Sequence, residues 1–483
     1  MSMQIVICGS GLAATMTALA LQENLPDNVA ITLLSTASQA NTDIFYGTSS
    51  APEIYDFHLS LSVSEPEILF GSDSSFSFGS YFQRWALTDN SWLQCFHLPF
   101  AVEQGVGLHH FVNRQAPGQF QDYLISAQAA LHGKFAHPPA DQQHPLSRAE
   151  YGYHFDPQQW SELYAAKHHQ QRINTIQASI AEVVIEHGKI SALVLDNGET
   201  LSASLFIDCS GPEARLLSAL DIQQTIKKQL HAVSSVKPGT LGPAYRQIIS
   251  TQAGWMADTP FSTGVRRLSV YAPTDEQQAL ACHELAVELQ CQVNIGPRTQ
   301  AWAGNCVAIG QAANVIEPLT PAPHMLLVRD IQRLLELLPL SEDMQLEARE
   351  YNRRFADDAE HCELFHAALF SVPGLPDSDY WQLSSSAASS AKLQRKLSQF
   401  NHRGILASFD LEPFNEQDWT ILLMGMGQTP QTYDRLAEQV SETQMAVKLA
   451  QMRDIIQQLV AKMPPHAQYM DKLKRYLNTQ YSQ

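Results

Sequence analysis

One short run near the N-terminus constrains the fold more than any other: Cys8-Gly9-Ser10-Gly11-Leu12-Ala13-Ala14. It follows the apolar "QIVI" and opens the helical pattern "LAATMTALALQE"; a second apolar stretch, "VAITLLS", ends at Ser35. Strand, glycine turn, helix and strand make a βαβ unit, whose two strands must lie parallel in one sheet. Gly9 permits the tight turn, Gly11 lets the backbone approach a pyrophosphate, and Ala14 is small enough for the helix to pack on the strand. The free N–H groups and dipole of the helix start then favour a phosphate. The pattern G-x-G-x-x-A in this context predicts a dinucleotide cradle made by Gly9, Gly11, Leu12, Ala13 and Ala14; a purely structural glycine turn is the alternative. The second strand would be expected to end in an acid for a ribose hydroxyl, but it ends in Ser35, which can hydrogen-bond the ribose only without charge assistance.

The rest of the chain bounds the possibilities. Its 483 residues, 45% of them apolar, suffice for a large core and two modules. A formal charge of −18 argues against non-specific nucleic-acid binding. No apolar run reaches the ~18 residues that a membrane span needs, and the start of the chain lacks the pattern of a signal peptide. The expectation is a cytoplasmic protein with no membrane and no nucleic-acid partner. The seven cysteines form no CxxC pair and read as reduced core thiols, with no metal site. Residues 106–146, rich in His, Gln, Pro and Gly, read as long surface loops, and 159–172 as helix. Residues 177–211 alternate with period two around turns at Gly188 and "DNGE", which predicts an antiparallel meander returning through "LFIDC". From about 325 onward helical periodicity dominates. Asp357 and Asp358 lie in a helix of mixed charge and read as a solvated face.

Two further motifs narrow the cofactor. "LFIDCSG" (205–211) and "WAGNCVAIGQAA" (302–313) resemble the strand-to-loop returns of FAD-binding oxidoreductases. Three such motifs in order favour FAD over NAD. There is no second G-x-G-x-x-G, so reduced flavin would have to come from a separate flavin reductase.

The chain as a whole resembles the flavin-dependent tryptophan halogenases. The matching stretches are "GSGLAA", "GTSSAP" (47–52), "FSFGSYFQRW" (76–85), "FHLPF" (96–100), "YGYHFD" (151–156), "LFIDCSG", "GWMADTPF" (254–261), "GNCVAIGQAANVIEPL" (304–319), "DWTILLMGMGQTPQTYD" (418–434) and "MPPHAQY" (463–469). The resemblance implies an α/β fold: a Rossmann-like FAD-binding box module with an antiparallel meander, over residues 1–340 with a loop-rich insertion at about 86–150, and a mainly helical substrate-side module over 341–483. In the family, reduced FAD reacts with O₂, halide becomes hypohalous acid, and this travels to an aromatic substrate.

The same resemblance places the functional residues. It puts Ser49, Val183, Gly310, Gln311, Pro323 and His324 beside the FAD, with the cradle residues and Ser35. His97, Phe100 and Trp419 fall at positions near the aromatic substrate. The catalytic lysine position is Ser77, in "SFSFG", and a serine cannot supply an ammonium. Of the two tryptophans in the family's G-W-x-W-x-I-P, Trp255 is kept and the second position is Ala257. In "EPLTPAPH" the catalytic glutamate position is Thr320. The family's halide rests on two backbone N–H groups, here those of Ala322 and Pro323, and proline has none. No catalytic residue of the namesake reaction is therefore assigned. The expectation is a flavin-dependent oxidoreductase acting on a small aromatic, indole-like or peptide-borne substrate, by hydroxylation if it turns over. A catalytically degenerate FAD- or substrate-binding partner protein and a halogenase with relocated catalytic groups stay open, as does a homodimer.

Overall fold

The computed structural model describes residues 3–36, 41–96, 105–115, 120–141, 143–407 and 411–481. They form two compact units, each built from three separate stretches of chain. The first takes residues 1–74, 155–233 and 289–360; the second takes 75–154, 234–288 and 361–483.

The first unit is organised by a six-stranded sheet. Strand β1 (Gln4–Cys8) lies between β2 (Ala30–Ser35) and β4 (Leu205–Asp208); β3 (Ile173–Gln177) flanks β2, and β6 (Cys306–Ala308) flanks β4. All these pairings are parallel, and β5 (Trp302–Ala303) adds an antiparallel edge. Burial on both faces explains why β1 and β4 are nearly continuous apolar runs. Helix α1 (Leu12–Asn24) joins β1 to β2 as the motif requires, and its first eleven residues are all buried. Helix α2 (Ala322–Glu336) packs against the same layer. The meander appears as strands Ile180–Glu186, Lys189–Leu195 and Thr200–Leu201.

In the second unit, five neighbouring strands follow the order Gly264–Tyr271, Gly254–Phe261, Arg246–Thr251, Gly79–Gln83 and Trp92–Cys95, and Ser75–Ser77 pairs antiparallel with Gly152–His154. Helices 379–385, 391–403, 416–425, 442–462 and 466–481 belong to it.

Three expectations change. The stretch 106–146 contains helices Leu108–Gln115 and Ile125–Leu131, whose Phe111, Val112, Ala127, Ala129 and Ala130 are core residues. Burial of the apolar side of these short helices overrides a loop-like composition. The helix expected over 159–172 runs from Pro157 to Ala166, capped by Asp156, whose carboxylate accepts from the N–H groups of Gln158 and Gln159. Asp358 is buried: it receives Arg329 at 2.7 and 3.0 Å and also pairs with Arg333. No helix is long and apolar enough to cross a membrane among the described residues.

Candidate functional site

The cradle at the start of α1 is built on backbone that tolerates no side chain. Gly9 has φ of +146°, and a Cβ there would stand 2.3 Å from the carbonyl oxygen of Cys209. Its N–H is donated to Leu34 O at 3.0 Å, which ties the turn to the end of β2. Gly11 is constrained less firmly, at an ordinary φ and by a side chain alone: its Cβ would lie 2.4 Å from an Asp43 carboxylate oxygen. That carboxylate accepts the Leu12 N–H at 2.8 Å. Asp43 sits on the 3₁₀ turn Thr42–Tyr46. Burial pushes its carboxyl up to about 6; the Leu12 N–H opposes the rise and the charge of Asp156 adds to it. Nothing in the local sequence flags Asp43, because its target lies 31 residues earlier in the chain.

The turn after β6 is fixed by the same segment. Gly310 has φ of +64°, and a Cβ would meet the Tyr46 hydroxyl at 2.4 Å. The Gly310 N–H is donated to Asp330 at 3.1 Å, and Asp330 is itself held by Arg333 at 2.9 Å. The Gln311 N–H goes to Tyr46 Oη at 3.1 Å and its Nε2 to Thr42 O at 2.9 Å. The amide oxygen Oε1 of Gln311 is buried and has no partner among the described residues.

Helix α2 begins at the "PAPH" run. Thr320 Oγ1 accepts the Ala322 N–H at 3.2 Å. Pro323 stands in the first turn, where its lack of a donor is harmless to the helix. The Met325 N–H is donated to Pro321 O at 3.0 Å, so it is not available to a ligand. His324 is 1% exposed, with its ring centroid 4.8 Å from that of Phe155 and 5.2 Å from that of Trp160. Burial lowers its pKa to about 3, so it is a neutral imidazole, and its Nε2 has no partner among the described residues. The Ser49 hydroxyl is also buried without a partner, next to Thr48, whose carbonyl accepts the Phe155 N–H at 3.1 Å. Glu317, at the head of the segment, is buried against Lys228 at 2.6 Å. Ser35 and Val183 are half-buried on their strands.

In the second unit, Ser77 is fully buried. Its hydroxyl lies 3.2 Å from both the N–H and the carbonyl of Gly79, so it closes a local turn. Trp255 and Ala257 are core positions of strand Gly254–Phe261, and Asp258 takes Arg267 in a bidentate pair at 2.7 Å. Trp419 is buried, with Phe365 edge-on at 5.1 Å and the Lys396 ammonium 4.4 Å from its ring centroid. His97 and Phe100 lie outside the described residues. No group of His, Cys, Asp and Glu able to hold a metal ion is found among the described residues.

The tryptophan halogenase family model matches residues 4–442. The chain belongs to the tryptophan halogenase family. Among the curated relatives, the tryptophan 6-halogenase ThaL of Streptomyces albogriseolus is 22% identical over 423 residues, covering 78% of each chain. The tryptophan 7-halogenase KtzQ of Kutzneria sp. (strain 744) is 25% identical, over 48% of each chain. Among solved structures, BrvH, a flavin-dependent halogenase from Brevundimonas sp. BAL3, superposes with a TM-score of 0.88 at 26% identity, covering 98% of this chain and 99% of that one. Membership of this halogenase family makes FAD the cofactor, with reduced flavin supplied by a separate reductase. The residues present fit it. Ser49 Oγ, Gln311 Oε1 and His324 Nε2 are three buried polar atoms of one unit that lack partners among the described residues, and a buried polar group is stable only when paired.

Proposed function

We propose that this chain uses reduced FAD and O₂ on an indole-like aromatic substrate, and that it transfers oxygen rather than halogen. The carrying observation is the start of α2. Of the two amides that the resemblance assigns to the halide, that of Ala322 is already donated to Thr320 Oγ1, and that of Pro323 has no hydrogen. An anion held by backbone donors loses roughly 3 kcal/mol for each such donor removed. Ser77, at the lysine position, offers a hydroxyl already engaged with Gly79.

Reduced FAD with O₂ supplies an electrophilic oxygen, the second oxygen atom leaving as water. The chain's own contribution is position and dryness. The neutral His324 imidazole presents a lone pair or an N–H without adding charge, and Phe155 and Trp160 fix its ring. Ser49 Oγ and Gln311 Oε1 would hold the flavin together with His324. Trp419 is retained as a substrate-side residue, as are His97 and Phe100.

A second reading keeps halogenation with an ammonium supplied from elsewhere. Lys228 favours it, because its ammonium pairs with Glu317, at the head of the segment that carries Thr320 and Pro323. Turnover in isotopically labelled O₂, with a flavin reductase and a panel of indoles and indole-bearing peptides, tests the proposal. Labelled oxygen in the aromatic product is expected. Peroxide release with every substrate unchanged would instead identify a binding protein.

A further inference from the structure

We propose that Asp43 is a built-in occupant of the dinucleotide cradle: its carboxylate takes the place of the FAD pyrophosphate at the start of α1, and FAD enters only by displacing it. This rests on the assignment of FAD to the cradle formed by Gly9 to Ala14.

The geometry is direct. Gly11 is the position at which the backbone must be bare so that a phosphate can approach, and an Asp43 oxygen stands 2.4 Å from where its Cβ would be. The N–H that should meet the phosphate, that of Leu12, is donated to the same carboxylate at 2.8 Å. A carboxylate and a phosphate oxygen are both anionic acceptors, so one helix start serves either. They cannot share it, because two anions in one part-buried place repel. Asp43 is therefore both a competitor for the donor and a charge opposing the ligand.

No cation relieves that opposition among the groups that act on Asp43. The helix beginning at Pro157 brings Asp156 at its cap, the strand Leu289–Pro297 brings Cys291, and the turn itself brings Tyr46. Of the other neighbouring elements, α2 contributes Asp330, which acts on Tyr46 and is itself paired with Arg333 of the same helix, and the turn Gly211–Glu213 contributes Glu213. With the carboxyl titrating near 6, its neutral form is populated in mildly acidic solution, and the neutral form neither repels a phosphate nor competes well for the Leu12 N–H.

The test is FAD binding to the FAD-free full chain by isothermal titration, in the unchanged protein and in Asp43→Asn and Asp43→Ser, at pH values spanning about 5.5 to 8. Thermal melting of each variant establishes that it is folded. Turned off the Leu12 N–H, the carboxyl stays beside the bound pyrophosphate, whose charge holds it protonated, so the unchanged chain should bind FAD more tightly as the pH falls and take up a proton on binding, seen as a buffer-dependent heat. Both variants should bind about tenfold or more tightly at pH 8, with no proton uptake and a flat pH profile. Equal affinity in all three proteins, weaker binding by the variants, or no capture of FAD by any of them would overturn the proposal. Product identity is read in a different assay, so a failure of the oxygen-transfer reading leaves this result intact.

Discussion

Two helix starts of the same unit, those of α1 and α2, stand where the family resemblance puts anions, and both are filled by the chain's own oxygens. At α1 the filler is the Asp43 carboxylate on the Leu12 N–H; at α2 it is the Thr320 hydroxyl on the Ala322 N–H. The difference lies in what a ligand could undo. Asp43 reaches α1 from a separate turn, through a side chain that can rotate away or take up a proton. At α2 the change is in the main chain: a proline nitrogen cannot regain a hydrogen. The first is a reversible obstacle to a cofactor; the second is a permanent loss of a donor. On the proposed reading, one fold keeps the flavin and loses the halide.

The comparison can be broken from its strongest side first. Gly9→Ala puts a methyl group 2.3 Å from the Cys209 carbonyl at a φ open only to glycine. We expect a loss of about 4 kcal/mol in denaturant unfolding and no FAD binding; a folded, FAD-binding variant would remove the cradle from the account.

Asp43→Asn comes next, read in the FAD-free protein. The folded chain raises this carboxyl to about 6, so folding favours its neutral form. The stability it contributes is full below ~4 and is lost as the pH rises through about 6. The variant should therefore gain on the parent as the pH rises, reaching ~1–2 kcal/mol at pH 8, since the residue keeps partial solvent contact. A difference independent of pH would show that Asp43 is an ordinary cap.

Thr320→Val should cost about 1 kcal/mol by orphaning the Ala322 N–H. Bromide should not restore the melting temperature, because Pro323 supplies no second donor; a bromide-dependent recovery would reopen α2 to halide. The smallest effect belongs to His324→Leu. Removing a buried Nε2 that has no partner among the described residues should stabilise the FAD-free chain by ~1 kcal/mol or less and weaken FAD binding, whereas unchanged FAD affinity would place His324 in the core.

How much of this could be read from the chain differs by residue. β1, α1 and β2 appear where their apolar period and glycines put them, because the signal is local and the residues touch their own neighbours. Asp43 is illegible for the opposite reason: its role exists only once a turn 31 residues away folds onto α1. Asp358 lies between the two cases. It follows buried Tyr351 and Phe355 at helical spacing, so the period marks it as inward-facing, but its charge reads as solvent-facing because its partners Arg329 and Arg333 lie 29 and 25 residues earlier in the chain. Composition hides the helices within residues 106–146, since His109 and His110 are buried in a helix whose apolar side is short. The interleaving of the two units leaves no trace in hydropathy, which reports burial and not the unit a segment joins. Pro323 was legible outright, because a missing N–H is a property of the residue itself.

The central claim is that α2 no longer holds a halide while the flavin site remains. It is tested most directly by one comparison of products: the chain, a flavin reductase, FAD, O₂ and an accepted indole, with and without saturating bromide, analysed by mass spectrometry. The account predicts the same oxygenated product in both mixtures. A product carrying the bromine isotope doublet would contradict it.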